Sequence, residues 1–287
     1  MMKALRGVLI AAALTFMGAP PAHALLPFGG AGARNTGFTV MGGYDGSWLY
    51  YQETDSSGNV MDRDYGWLNG LYGEARFEGN VLWTRLSAGY SWSHGARYDG
   101  AYQNGTPLKM TTYERIGLYE ADIGVKLFNA GSATLTPYAG IGRRIWWRGA
   151  DISPDYVEKY SWYYAAIGLN YVWRIEKWTA GADAAVALPF NMRMMTNEAG
   201  TINETTFRLG ENPGVEVQFP FTYDVYKRNR GAVKVFLFLT PYFQRWQIGA
   251  SAPLQALDLQ TNKTETLYEP DSTAHLYGFR VGLGVNF

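Results

Sequence analysis

Cysteine is absent from the 287 residues, which excludes a disulfide framework and any thiolate-ligated zinc or iron–sulfur centre. Net charge is absent as well. The 25 basic side chains balance 25 acidic ones, so the chain lacks the basic footprint of a nucleic-acid binder. Histidine is scarce, with His23, His94 and His275 the three copies. Hydrophobic residues make up 47% of the chain, yet no run in its body approaches the roughly 18 to 20 apolar residues of a spanning helix. The longest runs, 184–190 and 235–239, are far too short. What the chain has in quantity is glycine, 34 residues, and aromatics, 16%.

Residues 1–24 read as a cleavable export signal. Lys3 and Arg6 form a positive n-region, Val8 to Met17 an apolar h-region, and Ala22-His23-Ala24 a small-x-small cleavage pattern. Cleavage after Ala24 removes two bases, no acid and one of the three histidines, leaving a slightly acidic mature chain. A short glycine-rich tail, 25–35, precedes the first periodic segment.

From residue 36 onward the pattern alternates with period two in blocks separated by turn formers, the strand signal rather than the helical one. The last block is clearest: Tyr277, Phe279, Val281, Leu283, Val285 and Phe287 share one face, and Gly278, Arg280, Gly282, Gly284 and Asn286 the other. Similar blocks begin near Phe38, Trp67, Leu82, Tyr119, Tyr163, Trp178 and Val215. Two more, 133–148 and 232–246, have unclear parity and contain Pro137 and Pro241 as candidate bulges or strand ends. Short turns at 79–80, 129–132, 176–177 and 227–231 alternate with longer polar segments at 53–64, 96–109, 149–159, 195–204 and 250–273. Greasy, aromatic and glycine-rich strands in even number fit an all-β fold. The expectation is a transmembrane antiparallel up-and-down β-barrel of about ten strands, within a range of 8 to 12, spanning 36–287. Both termini then face the periplasm and the long segments form outward loops.

The terminal strand resembles the C-terminal strand of bacterial outer-membrane proteins. There a final Phe is the recognition signal for the barrel-insertion machinery, a role that falls here on Tyr277, Phe279 and Phe287. The chain more broadly resembles a group of Gram-negative outer-membrane barrels described as porin-like. The resemblance is carried by Tyr65-Gly-Trp-Leu-Asn-Gly-Leu-Tyr-Gly73, Thr136-Pro-Tyr-Ala-Gly-Ile-Gly142, Pro241-Tyr-Phe-Gln-Arg-Trp246 and Glu269-Pro270. It implies a barrel fold and an outer-membrane location and brings no catalytic residues. A monomer in contact with lipid and lipopolysaccharide, without a cofactor, is the accompanying expectation.

Parity sorts the charges. Asp45, Glu74, Glu120, Asp122, Asp183 and Glu216 fall on the lumenal face with Arg76, Arg85, Lys126 and Arg280, and Arg144 and Lys234 join them on the less regular blocks. Such near-balance in a narrow, poorly solvated space favours mutual pairing, whereas an ion-selective pore more often carries rings of one sign. A largely plugged barrel with a structural or surface-interaction role is therefore the first expectation, and a narrow porin-like channel the second.

An enzyme is the third. His94 and His275 share parity with outward Trp92 and Tyr277, away from any lumenal site. The stretch 57–65 resembles the omptin loop that carries an Asp-x-Asp pair, a match that implies Asp62 and Asp64 as half of a protease site. The Asp–His half is missing, since 149–159 offers Asp151 and Asp155 but no histidine. The plainer reading of Asp62-Arg63-Asp64 is a solvated loop with a local ion pair. No metal-ligand spacing is present. Arg143, Arg144 and Arg148, beside Trp146 and Trp147, are candidates for lipopolysaccharide phosphates or for lumenal ion pairs.

Overall fold

The computed structural model describes residues 37–101, 106–130, 132–150, 153–196, 202–228 and 233–287. The expected signal peptide and tail, 1–35, lie outside them. Within them the chain is all strand, in the order β1 (Gly37–Thr54), β2 (Val60–Glu78), β3 (Leu82–Ala101), β4 (Pro107–Val125), β5 (Phe128–Ala130), β6 (Ala133–Ala150), β7 (Ser153–Ile175) and β8 (Trp178–Thr196). Four short pieces, β9 (Thr205–Arg208), β10 (Gly210–Glu211), β11 (Gly214–Gln218) and β12 (Phe221–Arg228), together form one broken wall strand between β8 and β13 (Val233–Gly249). A separate hairpin, β14 (Leu254–Asp258) with β15 (Lys263–Leu267), precedes β16 (Asp271–Asn286). Every pairing is antiparallel, and β16 pairs both β13 and β1, which closes a ten-strand barrel.

The broken wall has a local cause. Pro213 and Pro220 carry no N–H for the ladder, and the neighbouring carbonyl of Pro220 is instead taken by the amide of Gly181 at 2.8 Å. Opposite it, Asn191 in β8 adopts a left-handed φ of 56°, and its amide donates to Glu211 at 2.7 Å. Pro137 and Pro241, by contrast, sit inside β6 and β13, facing outward, and end neither strand.

The outer face is apolar along most of each wall strand. Leu71, Leu86, Ile123, Ile141 and Leu283 are each more than half exposed. At about 25 cal/mol per Å² such a belt is costly in water and is at home in hydrocarbon. Toward the long-loop end the outward residues turn basic: Arg63, Arg97, Arg115, Arg143, Arg193 and Arg245 are all exposed.

The inner face is packed. Trp83, Trp146, Trp162, Trp246, Tyr160 and Tyr164 are at most 2% exposed; Trp83 lies against Tyr138, and the others pack with Leu49, Leu68, Ile248 and Leu276 inside the barrel. Inward glycines make room for these rings. A Cβ on Gly278 would come within 2.5 Å of the Tyr242 ring, and one on Gly142 would strike the Tyr164 ring.

The strands overrun the segments read as loops from sequence. β1 and β2 continue through most of 53–64, β3 and β4 cover much of 96–109, and β6 and β7 leave only 151–152 between them. The last loop, 250–273, contains the β14–β15 hairpin. The wall strands run 16 to 23 residues, against the roughly 9 to 11 that cross a bilayer. Their loop-side ends stand clear of the apolar belt, so both faces there carry polar residues, and polarity alone reads as loop.

Candidate functional site

Inside the barrel the charges fall into layers. Nearest the short turns, Glu78 meets Lys126 at 3.1 Å and Arg174 at 3.2 Å, and Arg76 pairs with Glu74. Lys234 faces inward at the same end, opposite Asn286 in the ladder. One layer up, Arg85 is held by Asp122 at 2.7 Å, Glu120 at 3.0 Å and Asp183 at 3.1 Å. Hydroxyl and amide donors reach two of these carboxylates, Tyr138 and Asn170 donating to Asp183 and Tyr164 to Glu120, while Asp122 Oδ1 is left without a donor. Arg280 lies 3.5 Å from Asp45, with the rings of Tyr72 and Tyr242 at 4.2 and 4.5 Å from the guanidinium. Arg144 donates to Gln244, whose amide donates in turn to Glu216.

At the loop end the balance is lost. Arg148 sits 2.9 Å from Glu158, 3.4 Å from Glu53 and 3.5 Å from Asp64. Asp62 stands opposite Glu53 in the β1–β2 ladder, and Glu114 opposite Arg148 in the β4–β6 ladder. Glu269 comes down from the last loop to accept from the Tyr160 hydroxyl. Among the described residues Arg148 is the one base beside these six carboxylates. Tyr98 donates to Asp62 at 3.1 Å, Thr112 to Asp64 at 2.8 Å, and the Trp146 indole to Glu114 at 2.6 Å. Two carboxylate oxygens, Oδ1 of Asp62 and Oε1 of Glu114, are buried with no donor. Burial, reinforced by Glu53 and Glu158, pushes the Glu269 carboxyl well above its ordinary range.

The last loop is fastened over this mouth. Ser251 and Glu269 are joined by reciprocal hydrogen bonds of 2.8 and 2.9 Å, and Ile202 bridges to Asp258 at the turn end of the β14–β15 hairpin. Asp258 is held below the usual carboxylate range by hydrogen bonds from Thr261 and the Gln260 amide. Asp55, in the tight first loop, is lowered likewise by Asn59 and the Ser57 amide.

Asp62 and Asp64 therefore do not lie in a solvated loop. They share the inner face of β2, and Asp64 is fully buried. Asp64 pairs with Arg148, and among the described residues no histidine bonds either aspartate. His94 stacks edge-on to Tyr113 and His275 lies against Phe243 and Tyr277, both on the outer wall. Asp151 and the side chain of Asp155 lie outside the described residues. Of the three arginines considered for lipopolysaccharide, only Arg143 faces outward, over the Tyr163 ring at 5.3 Å; Arg144 and Arg148 are lumenal.

Tyr277 and Phe287 are exposed on the outer wall, and the amide and carbonyl of Phe287 bond those of Phe38 across the closing seam. Phe279 packs against Tyr44 and Trp67. Sequence reasoning missed Glu53, Glu114, Glu158, Tyr160 and Glu269 as members of the mouth. Continuing the parity of Glu120 back to Glu114 points inward; assigning loops by polarity stopped that count too early.

An apolar-girdled, closed, ten-strand antiparallel barrel with a charge-paired lumen defines the outer-membrane β-barrel class of fold. No family model and no curated protein sequence matches the chain. Among solved structures it is similar to the outer membrane protease OmpT from Escherichia coli, with a TM-score of 0.61 at 11% identity, covering 91% of this chain and 99% of that one. It also matches the outer membrane protein OprG from Pseudomonas aeruginosa, with a TM-score of 0.41 at 10% identity, covering 89% and 98%. A third match is the translocator domain of the autotransporter NalP from Neisseria meningitidis, with a TM-score of 0.41 at 10% identity, covering 100% and 95%. At these identities the likeness to OmpT concerns the fold.

Proposed function

We propose that the chain is an outer-membrane barrel of Gram-negative cells whose lumen is a structural plug and whose working surface is the acidic mouth. In this reading it is exported by residues 1–24 and inserted by the barrel-assembly machinery through Tyr277, Phe279 and Phe287. It stands in the membrane as a monomer, with its outward arginines against lipopolysaccharide phosphates. It binds rather than transports, and the six carboxylates around Arg148 favour cationic groups. The observation that carries this reading is the packed lumen. Side chains at most 2% exposed fill it from Trp83 to Trp246, and two cavities within it measure about 30 and 20 Å³, room for one or two waters each.

Planar-bilayer recording tests it: the purified barrel is expected to give no steady openings, and large stable conductance would mark a channel instead. Titration with spermidine is expected to change the fluorescence of Trp146, whose indole bonds Glu114, and to leave a Trp146→Phe variant silent.

A peptidase is a second reading, favoured by the shared inward face of Asp62 and Asp64. It predicts peptide cleavage by purified protein that Asp62→Asn abolishes.

A further inference from the structure

Arg144 is a buried charge without a carboxylate. Its side chain belongs to a residue 1% exposed. Nη1 donates to Gln244 at 3.0 Å, while Nε and Nη2 meet no acceptor in the protein. No acid among the described residues lies within ion-pair distance, and Glu216 reaches Arg144 only through the Gln244 amide. The guanidinium rests on the rings of Trp246 and Trp162, at 5.3 and 5.7 Å, and both indole N–H groups are themselves buried without an acceptor.

Arg144 lines the lumenal cavity of about 30 Å³ together with Arg280, Asp45, Ser87, Ser91 and Gln244. Arg280 Nε is a second buried donor without an acceptor, 3.5 Å from an Asp45 carboxylate that already accepts from Tyr242. Two guanidiniums thus face one carboxylate around a single space, and the unmet atoms on both guanidiniums are donors. Leaving a buried charge uncompensated costs several kcal/mol, and buried donors are ordinarily satisfied. Water would meet the donors but leave the charge. A small anion meets both. Roughly 10 to 15 Å³ accommodates a water, so the space admits one halide-sized ion and excludes a nucleotide or a sugar phosphate.

We infer that this cavity is a binding site for one small monovalent inorganic anion such as chloride, held by Arg144 with Arg280 as the second cation. The site lies in the lumen apart from the acidic mouth and does not depend on what the mouth binds. The anion completes the charge balance of the plug at the layer where the protein supplies too few acceptors.

The test is to refold the full chain from urea in sodium bromide, so that access through the packed lumen is not limiting, and to crystallise it in the same salt. An anomalous map at the bromine edge is expected to show a peak within hydrogen-bond distance of Arg144 Nε or Nη2, and Arg144→Met is expected to lose it. Bromide confined to the outer surface, or equally strong in the cavity of Arg144→Met, would overturn the inference. If that variant fails to fold, the wild-type map still decides. In solution, the midpoint of thermal unfolding is expected to be higher in chloride than in gluconate at equal ionic strength. Equal midpoints for wild type would overturn the inference too.

Discussion

Arg85 and Arg148 each face three carboxylates within the same lumen, but their surroundings differ. Around Arg85, Tyr138 and Asn170 donate to Asp183 and Tyr164 to Glu120, Asp122 Oδ1 alone is left without a donor, and Arg76 and Lys126 serve the acids of the next layer. Around Arg148 three further acids, Asp62, Glu114 and Glu269, crowd in with no second base among the described residues, and oxygens of Asp62 and Glu114 find no donor. The first cluster has bases in the layer beside it. The second has none and lies where the barrel meets the loops. The better-paired network is thus deep and the acid-rich one is at the rim.

The largest expected effect comes from the deep cluster. Arg85→Met strands three carboxylates in a dry layer, so unfolding in urea should show a loss of about 3–5 kcal/mol. Arg148→Met should cost less, about 1–3 kcal/mol, because mouth carboxyls close to solvent can take up protons instead. Equal losses for the two variants would mean that the two clusters are energetically alike.

Protonation sharpens it further. The Glu269 carboxyl titrates higher in the folded mouth than its ordinary value near 4.5, so the folded loop binds the proton more tightly than the unfolded chain. The docked loop is therefore favoured at low pH, and that advantage is lost as pH rises above the ordinary carboxylate range. Amide exchange across 251–269 should quicken with rising pH beyond the intrinsic trend, and Glu269→Gln should flatten the excess. An excess that persists unchanged in Glu269→Gln would place the titration elsewhere.

Arg144→Met removes a charge that no acid compensates, so in gluconate it should stabilise the protein, by about 1–3 kcal/mol. A loss as large as that of Arg85→Met would mean that Arg144 is paired in a way its geometry does not reveal. The smallest change is expected from Asp62→Asn, under about 0.5 kcal/mol: it keeps an acceptor for Tyr98 and relieves repulsion with Glu53.

Much of the barrel was legible because period two is a strong signal where one face meets lipid. Phe38 to Trp48 and Tyr277 to Phe287 alternate cleanly, and the same alternation points Asp45, Glu74, Asp122 and Asp183 inward. The signal fails where the wall rises above the membrane. At Asp62, Asp64 and Glu114 both faces of the strand are polar, so nothing in the residue types distinguishes a strand facing the mouth from a loop. It weakens again at 205–228, where Pro213 and Pro220 cut one wall strand into pieces and only the stretch from Val215 shows the period. Glu269 was out of reach for another reason: its place in the mouth depends on a loop folding back, which local pattern does not encode.

The seam between β1 and β16 also bears on how the barrel is made. Thr39 pairs with Asn286 and Thr54 with Asp271, so the edges that complete the cylinder come from opposite ends of the chain. Contacts so distant in sequence are entropically slow to form. Until they form, both edges present unpaired amides and carbonyls. The passage from open sheet to sealed cylinder therefore waits on β16, which must pair with β13 on one side and β1 on the other.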